Sequence, residues 1–196
     1  MKIILATFNK HKLFEISQLI GSSEIELLSL EDIGYDEEII EDGKSFIENA
    51  LIKAETIYNK YKIPTLADDS GICIDALDGK PGIHSARFAG ENTSPKEKNR
   101  IVIDMLKGKD NRKAHYTCAL AYVDDTEKFI VEKYCHGEII DIEKGIEGFG
   151  YDPIFFIEAF NKTLAEISLA EKNKISHRGQ AFMEFKKHIE NKNSIV

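Results

Sequence analysis

The most informative part of the chain is LADDSGICIDALDGKPG, residues 66–82. An apolar run leads into two adjacent aspartates, Asp68 and Asp69, and a Ser-Gly pair follows them. Because Asp, Ser and Gly are common in turns, the pattern predicts a strand over 65–68, a turn, and a second strand over 72–77. Neighbouring residues of a strand point to opposite faces, so the two carboxylates cannot share one pocket while a strand continues. We expect one aspartate to carry chemistry and the other to support the turn.

Strands and helices alternate on both sides of this stretch. Before it, the patterns predict strand 2–7, helix 9–20, strand 25–30, and a helix from the capping box Ser45–Glu48 to about Tyr61, with an apolar stripe of Ile47, Leu51, Ala54, either Ile57 or Tyr58, and Tyr61. After it, they predict a helix from the capping box Ser94–Glu97 to Leu106, a hairpin turning near 124–127, a third capping box at Ser168–Glu171, and a last helix from Ser176 that buries Phe182, Phe185 and Ile189. The expected fold class is α/β, a mixed sheet flanked by helices, in one domain over residues 1–196. The strand order does not follow from the sequence.

Composition and charge narrow the class of protein. The 196 residues are 42% hydrophobic and 31% charged, as in globular proteins, and the formal net charge of -8 argues against a broad basic surface for nucleic acid. The three cysteines, Cys73, Cys118 and Cys135, form no C-x-x-C pair and are expected to be reduced thiols. The first apolar run is too short for a signal peptide, and no later run is long enough for a membrane span. We therefore expect a cytoplasmic protein without a membrane or nucleic-acid partner.

A second polar stretch, ATFNKHK at residues 6–12, joins the first predicted strand to the first predicted helix. Backbone N–H groups and the positive end of the helix dipole attract anions there, and Asn9, Lys10 and Lys12 add an amide and two positive charges. This arrangement suits a phosphate group. An N-cap followed by a solvated basic turn gives the same pattern, and both interpretations stay open on this stretch alone.

One further stretch and one lysine are each open to more than one interpretation. GFGYDP, residues 148–153, is either plain turn chemistry or a loop that sets Phe149 flat against a purine ring. Lys53 is either a functional cation or an ordinary helix lysine that extends toward solvent. The histidines His84, His115, His136 and His188 are expected to be structural or exposed, because their spacing gives no zinc pattern.

Five motifs in this order resemble the inosine triphosphate pyrophosphatase family: ATFNKHK, FIENALIKA, ADDSGICIDALDGKPGIHSARFAG, GFGYDPIFF and AEISLAEKNKISHRGQA. The resemblance runs from about Ile3 to Phe182. It implies a long twisted mixed sheet with flanking helices, two lobes around a central substrate cleft, and a homodimer. It also implies Mg²⁺-dependent hydrolysis of ITP, dITP and XTP, purine nucleoside triphosphates, to the nucleoside monophosphate and pyrophosphate.

The resemblance also assigns roles to residues of this chain. Asp69 is implied as the proton acceptor and, with Glu41, as a Mg²⁺ ligand, although the neighbouring Asp42 leaves the second ligand open by one residue. Residues implied to bind the substrate are Thr7, Phe8, Asn9, Lys10, His11 and Lys12 of the phosphate-binding turn, Lys53, Ser70, and on the nucleoside side Phe149, Gly150, Tyr151, Asp152, Lys172, His177 and Arg178. Phe8 departs from the family pattern, in which Gly is common.

The implied roles follow a physical logic. Free water has a pKa near 15.7 and an ordinary aspartate about 3.9, so a carboxylate alone cannot make hydroxide. Mg²⁺ lowers the pKa of a coordinated water and often takes only one or two protein carboxylates, so Glu41 and Asp69 would suffice. Two alternatives are a pyrophosphatase that prefers another base, such as a modified pyrimidine, and a nucleotide-binding module that senses without turnover.

Overall fold

A computed structural model of the chain describes residues 1–21, 25–90 and 92–193. Its helices are α1 Lys10–Ile20, α2 Phe46–Tyr61, α3 Pro95–Met105, α4 Leu169–Ile175 and α5 His177–Asn193. Its strands are β1 Lys2–Leu5, β2 Glu26–Leu28, β3 Thr65–Ile74, β4 Lys113–Val123, β5 Lys128–Ile139, β6 Phe155–Ile157 and β7 Lys162–Thr163. Over the described residues these strands form one sheet in the order β2-β1-β3-β4-β5-β6-β7, which confirms the predicted α/β class. The sheet is mixed, since β1 runs parallel to β2 and β3 whereas β6 is antiparallel to β5 and β7.

The prediction was wrong at β3, because the chain does not turn at the Ser-Gly pair. Residues 65–74 form one strand, and Asp75–Leu77 form a 3-10 turn instead of a strand end. A Cβ on Gly71 would lie 2.3 Å from the carbonyl oxygen of Gly82 and 2.5 Å from Oγ of Ser85. Glycine at this position therefore allows close packing beside a continuing strand.

The helix α2 differs from its prediction in its cap and in its buried face. Oγ of Ser45 accepts the backbone N–H of Glu48 at 3.1 Å, but the Glu48 carboxylate accepts the N–H of Lys44, so the predicted capping box is incomplete. The buried residues of α2 are Phe46, Asn49, Ala50, Lys53, Ala54 and Ile57. Ala54 and Ile57 confirm part of the predicted stripe, but Ile47 and Leu51 are only half-buried, so the buried face is rotated from it. This rotation brings an asparagine and a lysine onto the buried side of the helix.

Several local predictions are confirmed. The capping boxes at Ser94–Glu97 and Ser168–Glu171 are both closed, and the hairpin of β4 and β5 turns over residues 124–127. Phe182, Phe185 and Ile189 of α5 are buried, and the three cysteines are free thiols. β1 and β2 are shorter than predicted.

Within the described part of the chain, no helix combines the length and apolar character that a membrane crossing needs.

The described residues fall into two compact units. Unit 1 comprises Met1–Asp69, Cys118–Lys133 and Arg178–Val196, and unit 2 comprises Ser70–Thr117 and Tyr134–His177. The apolar core of unit 1 includes Ile3, Ile16, Leu66, Leu120 and Phe185. That of unit 2 includes Ile72, Val102, Tyr116, Phe155 and Leu164. Each unit has its own core, and the predictions of one domain over residues 1–196 and of a central cleft stay predictions.

The packing of Phe185 leads to a test of the unit 1 core. Its side chain is fully buried, with ring centroids 5.2 Å from Tyr122 and 5.7 Å from Phe182. We expect Phe185→Ala to lower the free energy of unfolding by about 3–5 kcal/mol, because it removes buried apolar area and leaves a cavity. Urea denaturation followed by circular dichroism measures this change.

The matched control is Met183→Ala on the same helix, since Met183 is 47% exposed. It should change the free energy of unfolding by no more than about 0.5 kcal/mol, as is usual for surface substitutions. Equal losses in the two variants would contradict the described burial of α5.

Candidate active site

Asp69 lies at the centre of a polar cluster in unit 1. Its Oδ2 accepts a hydrogen bond from Nδ2 of Asn49 at 3.2 Å, and its Oδ1 lies 3.4 Å from Nζ of Lys53. The same Nζ lies 2.7 Å from Oε2 of Glu41. The buried face of α2 thus presents an amide and an ammonium to β3, and one ammonium joins two carboxylates.

Burial and neighbouring charges together set the pKa values of this cluster. Burial raises the pKa of the Asp69 carboxyl above its ordinary value, although Lys53 and Lys12 act in the opposite direction. Burial also acts to lower the pKa of Lys53, but the charges of Asp69 and Glu41 outweigh it and leave the pKa raised. Lys53 therefore stays an ammonium. A carboxylate with a raised pKa is a better proton acceptor, which suits Asp69 to general-base chemistry.

Glu41 and Asp69 fit a Mg²⁺ ion by their chemistry and placement. Both supply carboxylate oxygens, the ligands Mg²⁺ prefers, and both already contact one positive charge, the ammonium of Lys53. Among the described residues, no group of three or more His, Cys, Asp or Glu side chains could hold a metal ion. A pair of carboxylates nevertheless meets the usual requirement of Mg²⁺, which keeps several waters and takes phosphate oxygens from its substrate. The neighbouring Asp42 is exposed, whereas Glu41 makes the contact with Lys53.

The fully buried Asp68 belongs to a second ion cluster of unit 1. Its Oδ2 lies 3.2 Å from Nζ of Lys12 and accepts hydrogen bonds from Nε and Nη2 of Arg178 at 3.2 and 3.1 Å. Nη1 of Arg178 donates to Oε2 of Glu15 at 2.6 Å. Burial acts to raise the pKa of Asp68, but the charges of Lys12, Arg178 and Lys53 outweigh it and hold the pKa well below its ordinary value. The predicted role of Asp68 in a turn is therefore wrong, because its carboxylate anchors two cations instead.

The predicted phosphate-binding turn is a capped helix start. Oδ1 of Asn9 accepts the backbone N–H groups of His11 and Lys12 at 3.0 and 3.2 Å, and Oγ1 of Thr7 accepts the N–H of Asn9. The N-cap is confirmed, and it occupies two of the donors that a phosphate would use, but the basic turn is not fully solvated, because Lys12 is half-buried beside Asp68. Phe8, Lys10 and His11 are exposed, and the ring of Phe8 stacks on Tyr35 with centroids 6.2 Å apart.

Three predicted nucleoside-side residues form a cluster in unit 2. Oδ2 of Asp152 accepts the backbone N–H of Phe149 at 2.8 Å and a hydrogen bond from Nζ of Lys172 at 2.6 Å. The same Nζ lies 5.0 Å from the centroid of the Phe149 ring. Gly148 has φ of +72°, and a Cβ there would lie 2.1 Å from Oδ2 of Asp152. The turn therefore needs glycine, and it fixes an aromatic ring beside a buried ion pair.

The other predicted residues are divided between the two units. In unit 2, the buried His177 ring stacks on Tyr116 with centroids 4.7 Å apart and planes 4° apart, and the Tyr151 hydroxyl donates to the carbonyl of Ser85. Gly150, with φ of +64°, and the half-buried Ser70 also belong to unit 2. Arg178, the next residue after His177, belongs to unit 1 and joins Asp68 there.

Asn49, Glu15 and Tyr116 were not predicted as site residues, although each contacts one that was. Asn49 stands four residues before Lys53, and Glu15 three residues after Lys12, spacings that place each pair on one face of a helix. A polar residue at such a spacing from a predicted site lysine is a signal available in the sequence. For Tyr116 no comparable signal exists, since its partner His177 is distant in the chain.

The chain is similar to known proteins over nearly its whole length. Residues 3–188 match the model of the Ham1 family. The chain is 41% identical to the dITP/XTP pyrophosphatase of Thermoanaerobacter pseudethanolicus over 191 aligned residues, and the alignment covers 96% of each chain. It is 45% identical to the dITP/XTP pyrophosphatase of Campylobacter jejuni over 188 aligned residues, and the alignment covers 92% of this chain and 93% of the relative. A solved HAM1 protein from Coxiella burnetii superposes with a TM-score of 0.90 and 36% identity, covering 97% of this chain and 99% of that one.

The buried ion pair of unit 2 gives a stability prediction. The side chains of Lys172 and Asp152 are each 3% exposed. We expect Lys172→Met to lower the free energy of unfolding by about 3–5 kcal/mol, because it leaves the Asp152 carboxylate buried without its cation. Urea denaturation near neutral pH measures the change.

Lys128→Met is the matched control, since Lys128 also lies 2.6 Å from a carboxylate, that of Glu55, but the two side chains are 59% and 37% exposed. Solvent screening limits its expected effect to about 1 kcal/mol or less. If both lysines contributed equally, the burial assigned to Lys172 would be wrong.

Proposed function

The chain belongs to the Ham1 family, and from this membership we propose that it hydrolyses ITP, dITP and XTP to the nucleoside monophosphate and pyrophosphate. Such a reaction removes deaminated purines from the nucleotide pool. Relatives that carry the name dITP/XTP pyrophosphatase support the substrates. The observation that carries the reaction type is the contact of Asp69 and Glu41 with one ammonium, that of Lys53.

Asp69 accepts a proton from the attacking water in the proposed reaction. The water oxygen forms a bond to the α-phosphorus, and the bond from that phosphorus to the bridging oxygen of the β-phosphate breaks, which releases pyrophosphate. The raised pKa of Asp69 favours the proton transfer, and the hydrogen bond from Asn49 holds the carboxylate in one orientation. Lys53 and Lys12 neutralise negative charge that develops on the leaving group.

Glu41 and Asp69 are the residues proposed to hold Mg²⁺. When bound, the ion supplies neutralisation of phosphate charge and lowers the pKa of a coordinated water. Lys53 contributes to the same site by holding the two carboxylates together at distances of 2.7 and 3.4 Å from its Nζ. Because like charges repel, this ammonium keeps the pair assembled before a cation arrives.

The nucleoside is proposed to bind the residues that the family resemblance assigns to it, all of which except Arg178 belong to unit 2. Phe149 offers an aromatic face for a purine ring, and its backbone is held by Asp152, which Lys172 in turn neutralises. His177 and Arg178 are proposed to donate hydrogen bonds to a 6-oxo group, whereas the 6-amino group of adenine would face them with a donor. An unmet buried donor costs about 1–3 kcal/mol, so strong rejection of ATP needs more than one such contact. Arg178 is held in place by its hydrogen bonds to Asp68 and Glu15.

A homodimer in the cytoplasm completes the proposal. The dimer rests on the family resemblance, and the cytoplasm is supported by the free thiols of Cys73, Cys118 and Cys135. Neither nucleic acid nor a membrane is proposed as a partner, in line with the net charge of -8.

The first experiment is incubation with ITP, XTP, GTP, ATP and a modified pyrimidine triphosphate in the presence of Mg²⁺, with every product identified. We expect pyrophosphate and the monophosphate from ITP and XTP, and much slower turnover of ATP. Release of orthophosphate alone would make the protein a phosphatase. Faster turnover of the pyrimidine triphosphate would show that the protein prefers a modified pyrimidine. Binding without any turnover would show that the protein is a nucleotide sensor.

The second experiment replaces the proposed base. Asp69→Asn should retain equilibrium binding of ITP and lose about 10²–10⁴-fold in kcat, because the amide cannot accept the proton. Asp78→Asn is the matched control, since Asp78 is exposed at a turn of φ +53° that asparagine also tolerates, and it should keep the wild-type rate. Undiminished hydrolysis by a folded Asp69→Asn variant would remove Asp69 from the proposed role.

A further inference from the structure

Two histidines of unit 2 face each other on the hairpin strands. His115 lies on β4 and His136 on β5, and their ring centroids are 5.6 Å apart with planes tilted by 42°. His136 is exposed and His115 is half-buried, so solvent reaches the pair. Neither residue belongs to the candidate active site or to a motif of the family resemblance.

The strand register makes these histidines direct cross-strand partners. The backbone N–H of Ile139 donates to the carbonyl of Arg112 at 2.9 Å, so three steps along each strand bring His115 opposite His136. At the turn, the N–H of Asp124 donates to the carbonyl of Glu127, and counting from this bond reaches the same pair. An odd number of steps from a hydrogen-bonded pair gives a non-hydrogen-bonded pair, in which the side chains of an antiparallel ladder approach most closely.

We propose that His115 and His136 chelate one divalent transition-metal ion of the class that binds imidazole, namely Cu²⁺, Ni²⁺ or Zn²⁺. Metal–nitrogen bonds of about 2.0–2.1 Å place two ligating nitrogens about 3–4 Å apart. Ring centroids 5.6 Å apart allow this separation, because each nitrogen lies to one side of its centroid. The described residues contain no group of three or more metal-binding His, Cys, Asp or Glu side chains, so water fills the other coordination positions.

Tyr134 restricts the geometry of the pair. Its ring packs edge-on against His115, with centroids 5.7 Å apart, and lies 6.3 Å from the ring of His136. Packing on one side limits the rotamers of each imidazole, which lowers the entropy lost when a metal fixes them. The chemistry differs from that of the Glu41 and Asp69 pair, since carboxylates favour Mg²⁺ and imidazoles favour the later transition metals.

The test is a titration of the full chain with Cu²⁺ in excess Mg²⁺, which occupies oxygen sites without competing for imidazole. Electron paramagnetic resonance should show nitrogen splitting from two equivalent imidazoles, and calorimetry should give one tight site per chain. His115→Gln and His136→Gln should each weaken Cu²⁺ binding by at least about tenfold, since even outer-shell changes weaken natural metal sites by about 10–100-fold.

His84→Gln is the matched control, because His84 is an exposed histidine of unit 2 that lies outside the hairpin. It should leave the Cu²⁺ affinity unchanged. Circular dichroism verifies that the variants fold, which is expected because the two imidazoles lie on a solvent-accessible face. Binding that survives either single substitution, or a copper spectrum without splitting from two nitrogens, would overturn the proposal.

Discussion

The pleat of β3 is the constraint on which the candidate active site depends. Asp68 and Asp69 are neighbours in the chain, and an uninterrupted strand sends their side chains to opposite faces. One carboxylate then meets Lys12 and Arg178, and the other meets Lys53. Two adjacent acids would repel each other if both entered one pocket, but here each has cations of its own.

Different surroundings give these two identical side chains different chemistry. Asp68 is fully buried, yet three cations hold its pKa well below the ordinary value, so it serves as a permanent anion. Asp69 has fewer compensating contacts, and burial raises its pKa. Environments that separate the pKa values of neighbouring acids are a general means of assigning one a structural task and the other a proton-transfer task. Asp152 of unit 2 likewise has a structural task, since it pairs with Lys172 and holds the backbone of Phe149.

Local sequence signals predicted the elements whose causes are local. The capping boxes at Ser94 and Ser168 and the buried face of α5 depend on residues a few positions apart, and these predictions hold. The turn after Asp69 failed because turn propensity ignores distant partners such as Lys12 and the close packing at Gly71.

The site was predictable only in part for a related reason. The predicted stripe of α2 missed two of its buried residues, Lys53 and Asn49. Apolar periodicity takes no account of polar side chains, although these two are buried in contact with the Asp69 carboxylate. Asp69 and Lys53 were accessible through the family motifs that contain them, and Glu41 through its position ahead of the helix that carries Lys53. Contacts such as those of Glu15 with Arg178 and of Tyr116 with His177 depend on the tertiary fold, which no short motif encodes.

The long separation of Arg178 from its partners has a consequence for biosynthesis. Arg178 follows Asp68 by 110 positions and Glu15 by 163 positions. A ribosome therefore releases α1 and β3 long before it adds the arginine that neutralises their acids. Until then, closing the interior of unit 1 would trap two carboxylates with too little positive charge. The charge balance inside unit 1 is therefore complete only once α5 has been synthesised.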